Sequence, residues 1–322
     1  MRFRMEVLLG MFLLWYNFIM LRTIQGPSVK WVDIQNPTRE DIDDLRQGFH
    51  FHPLVLEELL IPAWRPKAER FPDYLSLIFY YPVYSKERKE TRSRELDILV
   101  TKDAVITVHY SSIIPVKALF DKCNLYVETR NEYMSQDAGR LLFHILSGFW
   151  KQSLLKLTGV SMKIDQIEEK IFQGEERAQV REISLATADV INFWRIVEPQ
   201  GEVLKLLQKE GVNFFGQDVE PYLSDIMDDY NQLVHELETA RETMRALEET
   251  NNSLLTAKTN EVVRLLTVIS TLVLPLTFIA SVFGMNAVLP LGDHPKDFWF
   301  ILVAMAIAVV TMYLYFKRKR WV

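Results

Sequence analysis

The residues best placed to do chemistry on this chain gather between Asn260 and Asn286. From Leu265 to Phe283 no side chain ionises, yet Thr267, Ser270, Thr271, Thr277 and Ser281 interrupt the apolar run. Steps of three and four residues (Asn260, Val263, Thr267, Ser270, Leu274, Thr277, Ser281) place most of these on one stripe of a helix. Such a stripe either lines water or helps helices pack and hydrogen-bond one another in lipid. The run ends in Phe283-Gly284-Met285-Asn286, where glycine frees the backbone and its carbonyl and asparagine presents an amide oxygen. Neutral oxygens suit a hydrated hard cation. Magnesium sheds its water reluctantly, so carbonyl and amide oxygens recognise the hydrated ion without stripping it, whereas a ring of carboxylates would hold it too long.

Little else on the chain competes. There is no G-x-x-x-x-G-K-[ST], no phosphate-cradling glycine cluster and no Cys or His motif with metal spacing. His235-Glu236 sits in H-E-L-E-T, which lacks the second histidine of a zinc protease and reads as helix surface. His50 and His52 form an H-x-H pair without nearby partners and read as surface or helix-entry chemistry. Cys123 is the single cysteine, so no intrachain disulfide is expected, and a small buried hydrophobe in a reducing compartment fits it. The formal net charge of -5 averages an acidic middle with Lys317-Arg318-Lys319-Arg320 at the end, so nucleic acid is not an expected partner. No nucleophile, base or cofactor motif points to an enzyme.

These residues need elements to hold them. A helix of about 20 residues crosses the ~30 Å hydrocarbon core. Residues 264–283 therefore read as a first transmembrane helix that lines a pore and 298–316 as a second, joined by an external loop, 284–297. The basic tail, 317–322, lies on the cytoplasmic side by the positive-inside rule, which puts Asn286 outside. Residues 28–136 read as a cytosolic α/β domain. Trp31 to Ile34, Leu75 to Tyr81, Leu96 to Thr101 and Ala104 to His109 are its expected strands, the last two joined at Lys102-Asp103. Thr38 is an expected helix cap with Asp41 three residues on, and Pro53 suits the first turn of a short helix carrying Glu57 and Glu58.

Residues 137–263 read as a helical coiled coil and stalk. Leu157, Val160, Ile164, Ile167 and Ile171 form a heptad seam that breaks at Gln173-Gly174-Glu175. An antiparallel helix follows, interrupted near Pro199-Gln200-Gly201. The last helix starts after Pro221, repeats the seam from Ile226 to Asn251 and runs into the membrane. From Tyr222 to Phe283 it would span on the order of 90 Å. Residues 1–27 read as an N-terminal extension: Val7 to Trp15 is apolar behind Arg2 and Arg4, as in a signal peptide, but no small-residue cleavage site follows. An extended start, with the working protein beginning near Met20, is the preferred reading, and a membrane-surface helix the alternative.

Gly284-Met285-Asn286 after the first of two C-terminal apolar runs resembles the signature of the CorA family of magnesium transporters. The resemblance also takes in Lys258-Thr259-Asn260-Glu261, Pro275-Leu276-Thr277-Phe278-Ile279-Ala280, the basic tail, His52-Pro53-Leu54-Val55-Leu56-Glu57 and Arg65-Pro66-Lys67, over about residues 28 to 322. It implies a homopentamer in the cell (inner) membrane, multi-pass, with both termini cytoplasmic. Its selectivity mouth would be Gly284, Met285 and Asn286, and its pore lining Asn260, Val263, Leu266, Leu274 and Thr277, with Leu266 and Leu274 as hydrophobic constrictions. It further implies regulatory Mg2+ between neighbouring cytosolic domains at Glu57, Glu58 and Asp225, holding the pore closed, besides hydrated Mg2+ as the transported ion and Co2+ or Ni2+ as secondary ions. Lys317, Arg318, Lys319 and Arg320 would surround the pore exit with positive charge.

Two departures from the family pattern stand out. Ser147 takes the place of a further acidic residue of some members, which reduces the expected inner site. The outer loop reads Ala287-Val288-Leu289-Pro290-Leu291 without a glutamate, leaving Asp293 and Asp297 as acids near the mouth. The reading that follows is a pentameric membrane protein with an α/β cytosolic domain, a long helical coiled-coil stalk and two C-terminal transmembrane helices, taking up Mg2+ down the membrane potential. A zinc-transporting relative and a non-conducting, membrane-anchored scaffold or sensor are the rivals. The intact Gly-Met-Asn stands against the first, and the second leaves the polar stripe unexplained.

Overall fold

The computed structural model describes residues 20–85, 87–88, 90–285 and 295–319. Six strands form one sheet: β1 (Met20–Gln25), β2 (Lys30–Gln35), β3 (Lys67–Arg70), β4 (Leu75–Ser85), β5 (Glu90–Val100) and β6 (Ala104–His109), in the order β1-β2-β6-β5-β4-β3. β2 and β6 run parallel, and every other neighbouring pair is antiparallel. Thr101 and Ala104 close the β5–β6 hairpin with a backbone bond of 2.9 Å across Lys102-Asp103.

Both faces of the sheet are covered, so its strands alternate between two cores instead of between core and water. Trp31, Leu77, Phe79, Tyr81, Leu96, Ile98 and Val105 join the larger core. Its other walls come from α3 (Ile114–Leu125), α5 (Ala138–Phe172), α6 (Glu176–Val197), α7 (Gly201–Phe215) and α8 (Glu220–Phe283). On the opposite face Val32, Ile34, Leu99, Ile106 and Val108 meet α1 (Arg39–Gly48) and α2 (Pro53–Glu58) through Ile42, Leu45, Val55 and Leu56. Thr38 and Asp41 form a reciprocal capping box at the start of α1, as the spacing predicts. His52 caps α2, its Nδ1 accepting from the Leu54 N–H at 3.2 Å, with Pro53 behind it.

The remaining helices are α4 (Val127–Met134) and α9 (Pro295–Arg318). α5 ends where the heptad seam breaks, and Gly174 takes the left-handed φ of 93° that a side chain would resist. Between α6 and α7 a 3-10 turn, Glu198–Gln200, carries the fully buried Gln200 to the side of β4 that β3 leaves open. Its amide accepts from Tyr80 N–H at 2.9 Å and donates to Tyr80 O at 2.8 Å, closing an unpaired strand edge.

The structure corrects the expected boundaries at three places. The fold does not begin at residue 28: β1 pairs with β2 from Met20↔Gln35 to Gln25↔Lys30. Its polar alternation, Leu21-Arg22-Thr23-Ile24, hides the strand from a search for apolar runs. β5 begins at Glu90 instead of Leu96, because the polar residues Thr91 to Glu95 pair fully with β4. Nor does the core divide at 136, since Trp31 and Phe79 share it with Leu157, Leu233 and Leu237 of the long helices.

By compactness the chain divides instead into Met1–Gly174 with Ala178–Leu247, and Glu175–Arg177 with Glu248–Val322. In the second unit Lys258 Nζ donates to Glu176 Oε2 at 2.6 Å. α8 passes Pro275 without a break. Two helices of the described chain, the one ending at Phe283 and α9, are long and apolar enough to cross a membrane.

Candidate functional site

The stripe read from the sequence is an exposed face of α8. Asn260, Val263, Leu266, Thr267, Ser270, Leu274, Thr277 and Ser281 are all exposed, Leu266 at 63% and Leu274 at 69%. Buried or half-buried positions fall elsewhere: Val268, Thr271, Leu272, Pro275, Leu276, Ile279 and Val282. At about 100° of turn per residue these two sets lie on roughly opposite sides of one helix. α9 carries a matching stripe, half-buried at Ile301, Met305, Ala308, Val309 and Met312 and buried at Phe316, the pattern of helices packed along one face each.

The hydroxyls on α8 are spent in a particular way. Thr267 Oγ1 donates to Val263 O at 2.8 Å, and Thr277 Oγ1 donates to Val273 O at 3.0 Å. A threonine that gives its proton to its own helix keeps only oxygen lone pairs for a visitor. The exposed stripe therefore offers acceptors at Thr267 and Thr277 without any fixed charge.

Gly284 and Met285 close the helix, with Gly284 N–H bonded to Ala280 O at 2.9 Å. The left-handed backbone that glycine permits is not used here, since positive φ among the described glycines occurs at Gly174 and Gly216. The constraint is space: a Cβ at position 284 would meet Ala280 O at 3.1 Å. Asn286, Asp293 and Arg320 lie outside the described residues, as does the side chain of Asp297. Lys317, Arg318 and Lys319 are exposed, the first two in the last turn of α9, where cations suit the helix dipole.

The acidic residues sit in the first unit. Glu57 and Glu58 are exposed on α2, paired loosely with Arg46 at 3.5 Å and Lys67 at 3.2 Å. Asp225 is exposed on α8, one turn before Asp228 and Asp229. Burial pushes the Asp229 carboxyl up, and Asp225 and Asp228 add to this against Lys151. That stretch is acidic, and Lys151 Nζ lies 3.9 Å from Asp229 Oδ2. Ser147, by contrast, is buried on α5, so the expected acidic position faces this chain's own interior.

Two clusters escape the sequence reading. On the α3 side of the sheet, buried Asp33 accepts from Thr107 Oγ1 at 2.7 Å and from Arg22, and lies 3.2 Å from His109 Nε2. Burial pushes its carboxyl up, but His109, Thr107 and Arg22 outweigh that and hold it below the usual carboxylate value. On the other face, Glu95 and Asp97 of β5 lie beneath α2, and burial pushes both carboxyls up. The missed signal was two acids two residues apart in Glu95-Leu96-Asp97-Ile98-Leu99-Val100, the end of β5 that is otherwise apolar on both faces.

Residues 27–318 match the family described as CorA-like Mg2+ transporter protein. The chain belongs to that family. Among its CorA-like relatives, the cobalt/magnesium transport protein CorA of Thermotoga maritima is 28% identical over 294 residues, covering 90% of this chain and 83% of its own. The putative metal ion transporter YfjQ of Bacillus subtilis is 25% identical, covering 94% and 93%. The complete structure of the CorA magnesium transporter from Methanocaldococcus jannaschii superposes with a TM-score of 0.79 at 22% identity, covering 92% of each chain. The similarity of fold therefore takes in most of this chain.

Proposed function

We propose that this chain conducts hydrated Mg2+ into the cell as a homopentamer, with Co2+ and Ni2+ as secondary ions. The observation that carries the reading is the uncovered polar face of α8, opposite the face it packs with. Two apolar helices cannot enclose a pore, so an exposed face bearing Asn260, Thr267, Ser270 and Thr277 calls for a ring of copies with that face inward. In such a ring Leu266 and Leu274 form apolar constrictions that close by dewetting, and Gly284, Met285 and Asn286 form the outer mouth. A divalent ion gains about 4.6 kcal/mol per 100 mV of inside-negative potential, which drives uptake without a nucleotide.

Glu57, Glu58 and Asp225 regulate the ring by holding Mg2+ between neighbouring subunits. Facing carboxylates repel unless a divalent cation bridges them, so falling internal Mg2+ loosens the ring and favours opening. Their exposure and the acidic stretch around Asp225 support this reading. The chain lies in the inner membrane with both termini in the cytoplasm, which the basic end of α9 supports.

The test is Mg2+ uptake into liposomes under an inside-negative potential, comparing the native chain with Asn286→Ala. Uptake by the native chain, and its collapse in the variant while the oligomer survives, is the expected result. No flux through the native chain with internal Mg2+ chelated overturns the reading in favour of a non-conducting scaffold.

A further inference from the structure

Beneath α2 the first unit holds a cleft of about 530 Å³ whose rim carries Glu57 and Glu58 and whose floor carries Glu95 and Asp97 of β5. With about 30 Å³ per water molecule, that is room for an ion and several waters. Asp97 is 3% exposed, and its Oδ1 has no hydrogen-bond partner although it belongs to the cleft wall. Glu95 is fixed from the other side, its Oε1 accepting from the Ala63 N–H at 2.8 Å. The two carboxyls stand two residues apart on the same face of one strand, and both line the cleft. Burying two acids together in a sheet is costly in their charged form unless a proton or a cation neutralises them.

The chain's own cations fill that role poorly. Lys67, on the cleft wall, is bonded to Glu69 at 2.9 Å and Glu58 at 3.2 Å. Arg65, also on the wall, has its side chain exposed to solvent. Tyr80 and Tyr110 also stand near the pair, and burial pushes both phenols up, so they face it uncharged at neutral pH. Among the described residues no set of three carboxylate, imidazole or thiolate ligands is assembled for a metal. Two carboxylates and water are enough for a hard ion, because Mg2+ keeps several waters and is commonly held by one or two carboxylates.

We propose that Glu95 and Asp97 form a divalent-cation site within a single subunit, in which a partly hydrated Mg2+-like ion takes the unpartnered Asp97 oxygen, a Glu95 oxygen and cleft water. All its ligands come from one chain, so it is separate from the inter-subunit ions at Glu57, Glu58 and Asp225 and does not rest on that reading. Glu58 still senses it, since the Glu58 and Asp97 charges act on each other across the cleft. An ion on the floor makes the rim less negative and weakens the pull on a second ion there.

The test counts Mn2+ bound per subunit by electron paramagnetic resonance, on the full chain in detergent, for the native protein, Asp97→Asn, Glu95→Gln and Asp225→Asn. Asp97→Asn and Glu95→Gln are each expected to bind one Mn2+ per subunit fewer than their parent, both in the native chain and when added to Asp225→Asn, and excess Mg2+ displaces that ion. Equal counts in the native chain and both floor variants overturn the proposal, as does a floor substitution that removes no further ion from Asp225→Asn. Should Asp97→Asn fail to fold, Glu95→Gln alone decides. An absence of flux through the native chain counts against transport and leaves this count unaffected.

Discussion

Asp33 joins three strands through one carboxylate, taking Arg22 from β1, Thr107 and His109 from β6, and holding its own place in β2. Removing one partner of a buried ion pair is destabilising, by about 3–5 kcal/mol where the other charge is left wholly uncompensated and by less here, because Arg22 keeps Asp121 at 2.9 Å. Asp33→Asn is therefore expected to lower the urea midpoint sharply, with the slope of unfolding unchanged. Its folded carboxyl is held below the unfolded value, so this stabilisation is complete above the unfolded value and fades as pH falls through the folded one. Asp97 behaves oppositely. Burial raises its carboxyl above the unfolded value, so its contribution to stability declines as pH climbs from the ordinary carboxylate range. With divalent ions chelated, Asp97→Asn is expected to unfold at higher urea than the native chain at neutral pH, with the gain vanishing in acid. A lower midpoint for the variant at neutral pH would show that the ionised carboxyl stabilises the fold after all.

α8 is the element that sequence reading located best, because its seam and its apolar run follow helical spacing without a glycine from Tyr222 to Phe283. The strands were legible where both neighbours are apolar, as in Ala104 to His109. They were not legible where pairing, not burial, defines them: Lys67–Arg70 is held by backbone bonds to β4 and carries mostly charged side chains. Of the candidate site, the α8 stripe was legible because period and chemistry coincide in it, whereas the Asp97 cleft depends on α2 folding over a strand nearly forty positions later, at a distance no local pattern records. The two faces of α8 make separate predictions. Thr277→Val keeps the shape and removes the lone pairs from the exposed face, and several-fold slower Mg2+ flux is expected. Thr271→Val, on the packed face, is expected to conduct near the native rate. Equal losses in both would mean the hydroxyls serve helix packing alone.

At the scale of the whole molecule, the α/β unit and the apolar helices matter together only if copies assemble. Native mass spectrometry of the detergent-solubilised chain is expected to give five subunits. Asp225→Asn is expected to keep conducting at internal Mg2+ concentrations that shut the native ring, and closure at the same concentration in both would remove Asp225 from the gate. The threonines of the exposed α8 face carry one more consequence. Their protons are committed to Val263 and Val273 of the same helix, so a passing chloride ion, which needs donors, finds none there. Discrimination by the sign of the ion can thus arise at Thr267 and Thr277 with no charged side chain, and discrimination of that origin would survive high ionic strength, where a ring of carboxylates would be screened.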